Sequence, residues 1–119
     1  MALSVRDRVH EIATAIVGGE PSPADLRAYE LQLSGLLALT NKHAAACEVA
    51  YKRKLAHERV EHKTSAEAKM VAEASDEYAD LVDANLTAKS LIETIRTIRR
   101  VSRSLDEEMR LAQIGRAHV

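Results

Sequence analysis

The chain contains neither phenylalanine nor tryptophan, and three tyrosines are its only aromatic rings. A thick globular core built on bulky rings is thereby excluded. Burial falls to Leu, Ile, Val and many Ala, which fill narrow helix-to-helix seams better than a deep interior. Cysteine is almost absent as well: Cys47 stands alone, which rules out an internal disulfide and fits a reducing cytoplasm. No stretch approaches the roughly 18 apolar residues of a membrane span, and Arg6, Asp7 and Arg8 put charge where a signal peptide needs its apolar run. Excess charge of either sign is missing too. With 17 basic and 18 acidic residues the formal charge is −1, so global charge selects neither nucleic acid nor an acidic membrane. The expectation is a soluble, cytoplasmic protein of one domain.

What is present is helical periodicity. From about Pro23 to about Gln113 apolar residues recur every three or four positions, with one break around Lys63–Ser65 and no alternating strand pattern. The fold class expected is all-α: a long antiparallel helical hairpin, or coiled coil, with a short N-terminal helix packed on its open end. Ser4 caps that first helix, about 5–17, whose stripe is Val5, Val9, Ile12, Ala13 and Ile16, and Gly18-Gly19 ends it. Ser22-Pro23-Ala24-Asp25 supplies a cap, a proline at the first helical position and an acid at the third, opening a helix over about 23–62. Its inner face is Leu26, Tyr29, Leu33, Leu36, Leu37, Thr40, Ala44, Cys47, Tyr51 and Leu55. Thr64-Ser65-Ala66-Glu67 opens the last helix, about 65–113. Its expected stripe takes in Ala68, Val71, Ala72, Ser75, Tyr78, Val82 and Leu86, then continues through Leu91, Ile92, Ile95, Ile98 and Leu105 to Met109 and Ala112. From Ala88 onward the spacing alternates between three and four, a coiled-coil seam.

Folding at Lys63–Thr64 sets residue i opposite residue 127 − i. Leu33 then meets Ile95, Leu55 meets Ala72 and Cys47 meets Leu81. Large side chains face each other at the open end and small ones near the turn. The first helix folds back there, making Ile95 the expected most buried side chain. The final residues Ile114–Val119 break the repeat and spell a forward translation of a common short-read sequencing adapter. They are read as an adapter-derived tail on a chain cut near Gln113, so His118 is expected to carry no function.

The constellations that invite chemistry fail geometric tests. His57 and His62 lie five apart, about 140° around a helix, whereas a zinc-protease helix needs two histidines four apart. Glu-x-x-His pairs of di-iron bundles are absent. The acidic run Glu73, Asp76, Glu77, Asp80 and Asp83 faces Lys52, Arg53 and Lys54 in the expected register, so neutralisation across the hairpin is its expected role. Cys47 sits among alanines as a structural thiol. No catalytic residue, metal or cofactor is expected. The basic stripe Lys89, Arg96, Arg99, Arg100 and Arg103 would suit a phosphate backbone or an acidic partner. Asp7, Glu11, Asp25 and Glu30 are the expected internal partners that would quench it.

From Tyr29 to Met109 the chain resembles small helical-hairpin proteins of phage and prophage early-gene clusters. The residues concerned are Ala44-Ala45-Ala46-Cys47-Glu48-Val49-Ala50-Tyr51-Lys52-Arg53, then Ala66-Glu67-Ala68-Lys69 after the turn. The resemblance implies a phage-encoded accessory protein, of a kind often encoded near recombination or replication genes, with no catalytic residues to carry over and a bacterial host cytoplasm as its location.

The expected function is a non-enzymatic, self-associating coiled-coil protein. Leu31, Leu39, Leu81, Leu86 and Ile92 are too many for one seam and would mediate self-association. Its alternative is a nucleic-acid-binding accessory protein using Lys89–Arg103. No membrane and no small-molecule substrate are expected.

Overall fold

The computed structural model describes residues 4–117, and these form α-helices with no strand among them. The helices are α1 (Val5–Gly18), α2 (Pro23–Glu61), α3 (Ser65–Glu73) and α4 (Asp76–Ala117). Capping side chains fix each start. Ser4 Oγ accepts from the Asp7 N–H at 3.1 Å. Ser22 and Asp25 cap reciprocally: the Asp25 N–H donates to Ser22 Oγ at 3.1 Å and the Ser22 N–H to Asp25 Oδ2 at 3.0 Å. Thr64 Oγ1 accepts from the Glu67 N–H at 3.1 Å. At the end of α1 a glycine is required by space: a Cβ on Gly19 would lie 2.8 Å from the Ala15 carbonyl oxygen, to which the Gly19 N–H donates.

One expected helix is two. The span expected to run unbroken over 65–113 is interrupted at Ala74–Ser75. Ser75 does the interrupting: its hydroxyl donates to the Ala72 carbonyl and accepts from the Tyr78 N–H at 3.3 Å, so it closes α3 and caps α4. The break resets the helical phase. Beyond it Val82 and Leu86, expected in the seam, are exposed, and Ala84 is buried instead with Leu81 half-buried beside it; Val71, before the break, is exposed beside the buried Ala72. The break also lengthens the returning chain. Glu30–Arg99 and Tyr51–Tyr78 both place residue i opposite 129 − i, two residues beyond the expected register.

The described residues divide into two compact units. Of the described residues, those up to Leu36 and from Ser90 form the first unit, and Leu37–Lys89 forms the second. In each, α2 runs antiparallel to the returning chain, as expected of a helical hairpin. The first unit holds the large aliphatics. Ile12, Leu26, Leu33, Leu91 and Ile98 are fully buried, with Val9, Ile16 and Ile95 nearly so. Each such side chain contributes roughly 1.5–3 kcal/mol of transfer free energy. Ile95 retains 5% exposure against 0% for Leu91 and Ile98, so these two rather than Ile95 sit deepest on α4. Helix α1 supplies the third side. Ser4, Val5 and Arg8 border a hollow with Gln32 and Leu36 of α2, whereas Ala13, Ile16 and Val17 border another with Ser90, Thr94 and Thr97 of α4. A hydrogen bond of 2.6 Å from Arg8 Nη2 to Gln32 Oε1 ties α1 to α2.

The second unit buries Thr40, Cys47, Glu58, Ala68, Ala72 and Ala84, none of them a large apolar side chain. Alanine allows close helix approach but removes little apolar area from water. The half-buried rings of Tyr51 and Tyr78 bridge the helices with centroids 5.2 Å apart and tilted by 47°, a pairing worth about 0.5–1.5 kcal/mol.

Helix α4 runs through the expected tail as far as Ala117, and no glycine has positive φ, so Gly115 lies in the helix and does not cap it. Met109, Leu111, Ala112 and Ile114 are exposed, so the expected continuation of the seam to Met109 and Ala112 stops at the half-buried Leu105. His118 and Val119 lie outside the described residues.

Candidate interaction surfaces

In the polar stretch His57–His62, His57, Arg59, Val60 and Glu61 are exposed and Glu58 is the exception. Glu58 is buried, with 8% of its surface exposed. Its carboxylate accepts from Lys54 Nζ at 3.1 Å and from His62 Nε2 at 2.9 Å. These three lie at i, i+4 and i+8 on one face of the last turns of α2 and its end, which is how a carboxylate can leave water at tolerable cost. Lys54 draws the Glu58 carboxyl below the ordinary glutamate range, with His62 acting in the same sense and burial opposing both. Lys54 is correspondingly held above the ordinary lysine range, first by its hydrogen bond to Glu58 and also by the charge of Glu77. The signal in the sequence was the Lys-x-x-x-Glu-x-x-x-His spacing. Among the described residues no group of three His, Cys, Asp or Glu side chains could hold a metal ion.

Cys47 is buried in the second unit, and His43 Nε2 lies 3.5 Å from its Sγ, a neighbour one turn away that the sequence reading overlooked. No helix of the described residues is long and apolar enough to cross a membrane.

Within the acidic run, Glu77 acts on Lys54 only through its charge, and the ion pairs of Lys52, Lys54 and Glu73 form within single helices. Lys52 pairs with Glu48 at 3.2 Å and Lys54 with Glu58 at 3.1 Å, each on its own helix. Ion pairs at i, i+4 need no cross-helix reach and win for that reason. Glu73 meets Lys69 at 3.9 Å, again within one helix. Asp76 and Asp80 are exposed and make no side-chain hydrogen bond or ion pair among the described residues.

The basic stripe is likewise quenched at one point only. Arg99 Nε donates to Glu30 Oε1 at 2.7 Å across the first unit. The other expected partners are engaged elsewhere: Glu11 pairs with Arg8, and Asp25 caps α2. Arg96, Arg100 and Arg103 are exposed and have no hydrogen-bonded or ionic partner among the described residues. They lie at i, i+4 and i+7 of α4, one row on the helix surface. Lys89 is exposed and belongs to the second unit.

Of the residues expected to mediate self-association, Leu31 and Ile92 are exposed in the first unit and Leu39 and Leu86 in the second. Leu81 is the exception: the phase reset at Ser75 turns it inward, leaving it half-buried. Leu31 is 78% exposed and Leu39 66%, far more than a leucine in a helical seam retains.

No protein family, curated protein or solved structure is matched by this chain.

Proposed function

We propose that this is a non-enzymatic helical interaction protein that self-associates. The observation that carries the reading is the outward placement of Leu31, Leu39, Leu86 and Ile92 on helices whose inner seams are already filled. Apolar side chains of that size on helices already packed on their other face gain most from a partner surface. The Ala-rich segment Ala44–Arg53 and the Ala66–Lys69 segment support a phage-encoded accessory protein, working in the cytoplasm of a bacterial host. Light scattering at tens of micromolar tests the association. A species larger than one chain is expected, and a strictly monomeric protein would reject the reading.

One observation favours a second reading. Arg96, Arg100 and Arg103 keep their guanidinium groups in solvent, and such a row accepts phosphate oxygens in forked pairs. A nucleic-acid-binding accessory role follows, without base stacking, since no aromatic side chain lies in that part of α4. Gel shifts at low salt, with these three arginines changed to alanine, test it. Loss of a shift supports the role, and an absent or unchanged shift rejects it.

A further inference from the structure

Around the Glu30–Arg99 bridge the first unit carries guanidinium groups on two helices. Arg27 lies one turn before Glu30 on α2, and Arg103 one turn after Arg99 on α4. Residues three or four apart share a helix face. Because α2 and α4 run antiparallel, Arg27 and Arg103 stand at the same end of the bridge, with Arg96 at the other. Arg27 is exposed and, like Arg96, Arg100 and Arg103, has no hydrogen-bonded or ionic partner among the described residues. Helix α1 does not compete for this side. It bonds to Gln32 of α2 and borders a hollow with Thr97 of α4. Gln32 and Thr97 are each two residues, about 200° of helix, away from Glu30 and Arg99.

The arginines therefore form two lines. The line on α4, from Arg96 to Arg103, covers about 10 Å of helix. Arg27 stands off it on α2, across an interaxial spacing of about 8–10 Å. Acids bound the α4 line, Glu93 before it and Asp106 and Glu107 after it, so it is short. A single strand or an extended acidic peptide is one line of charge and needs the α4 row alone. Duplex DNA presents two backbones across grooves about 6 Å and about 12 Å wide, and the spacing of the two helices falls between these widths. The chemistry agrees. The basic residues of the first unit other than histidine are all arginines, whose planar forks hold phosphate oxygens by paired hydrogen bonds. Its one tyrosine, Tyr29, is half-buried, so no ring is free to stack on a base.

We propose that Arg27 joins Arg96, Arg100 and Arg103 in a two-helix surface that binds the phosphate backbone of duplex DNA without regard to sequence. The proposal rests on the nucleic-acid reading of the α4 row and adds to it a second helix and the double-stranded form of the ligand. Contacts to phosphate fix position and carry no base sequence. Binding requires the closed hairpin of the first unit, since the two lines come together only when α2 packs on α4.

Fluorescence anisotropy of the full chain with a labelled DNA duplex, over a salt series, tests the proposal. The single strand of the same sequence is the second probe, and circular dichroism confirms that each variant stays helical. The wild-type chain is expected to bind the duplex more tightly than the single strand, and to bind a duplex of unrelated sequence equally well. Arg27→Ala is expected to weaken duplex binding roughly tenfold at about 50 mM salt and to reduce the slope of log K against log salt by about 0.9, the loss of one phosphate contact. Arg27→Lys, which keeps the charge, is expected to keep the slope. Single-strand binding should be the same for Arg27→Ala and wild type. If Arg27→Ala binds the duplex like wild type while the Arg96→Ala, Arg100→Ala, Arg103→Ala variant does not, the inference fails and the reading of the α4 row stands. A wild-type chain that binds neither probe, or a triple variant that binds both like wild type, removes that reading and the inference with it. Equal or tighter binding of the single strand overturns the inference. Polyglutamate that displaces the labelled duplex as readily as unlabelled duplex does assigns the surface to an acidic protein and overturns it as well.

Discussion

The two units use one architecture with different materials. In the first, Leu26, Leu33, Leu91 and Ile98 are fully buried and α1 adds Ile12 as a third side. In the second, the fully buried side chains are Ala68 and Ala72, and Glu58 lies beneath the surface with Lys54 and His62 as partners. The difference teaches where stability comes from. Burial of aliphatic area is non-directional and large, whereas an alanine seam lets helices approach closely while removing little apolar area, and charges paired along one helix add little more. The charge inventory divides the same way, with arginine alone in the first unit and all the lysines in the second.

The strongest way to break this contrast is to empty the first unit. Ile98→Ala is expected to cost about 2–5 kcal/mol, because a fully buried aliphatic leaves a cavity among side chains that cannot collapse around it. Chemical denaturation measures it. In the second unit the damaging change runs the other way. Ala72→Leu forces a larger side chain into a seam with no exposed volume, at an expected cost of about 1–3 kcal/mol in the same experiment. Replacing Ala79, an exposed alanine of the same unit, by Leu is expected to be nearly neutral.

Smaller again is the effect of removing the double-duty hydroxyl. Ser75→Ala takes away the cap of α4 and the closing bond of α3, and is expected to cost about 0.5–2 kcal/mol with a small loss of helicity. The finest probe is pH. The Glu58 carboxyl is held below its ordinary value, so its contribution is complete above the unfolded glutamate pKa of about 4.3 and is lost as pH falls through the lower folded value. Lys54 acts with the opposite sign. It contributes below the unfolded lysine pKa of about 10.4, and the contribution is lost as pH rises through the higher folded value. Thermal melts should therefore show Glu58→Gln converging on wild type in strong acid and separating from it at neutral pH.

Much of the fold is legible in the sequence. The inner face of α2, Leu26 through Leu55, is buried or half-buried at every expected position, because a long helix without a break keeps one phase. The stripe of α1 reads correctly for the same reason. On the returning chain the reading drifts at Val71, Val82 and Leu86, holds at Ala88, Leu91, Ile95, Ile98, Ser102 and Leu105, and fails again at Met109 and Ala112. For Val82 and Leu86 the cause is local: a single serine followed by Asp76 and Glu77 is an N-cap with acids in the first turn, and it lies hidden inside a periodic run with no glycine or proline. The candidate surfaces are less legible. Which lysine meets which carboxylate depends on side-chain reach, and partners one turn away on the same helix out-compete those across a seam. The row Arg96, Arg100 and Arg103 could be read as a basic stripe, but its lack of internal partners follows only from where Glu11 and Asp25 spend their charges.

Native-state hydrogen exchange, resolved by residue, tests the contrast between the units most directly. The slowest amides should be those of Leu33, Leu91, Ile95 and Ile98, opening only with global unfolding. Amides of α3 and of the first turns of α4 should exchange through a separate opening of lower free energy, since small side chains and a helix break hold them. Equal protection in the two units, or slower exchange around Ala68 and Ala72 than around Leu91 and Ile98, would contradict the account.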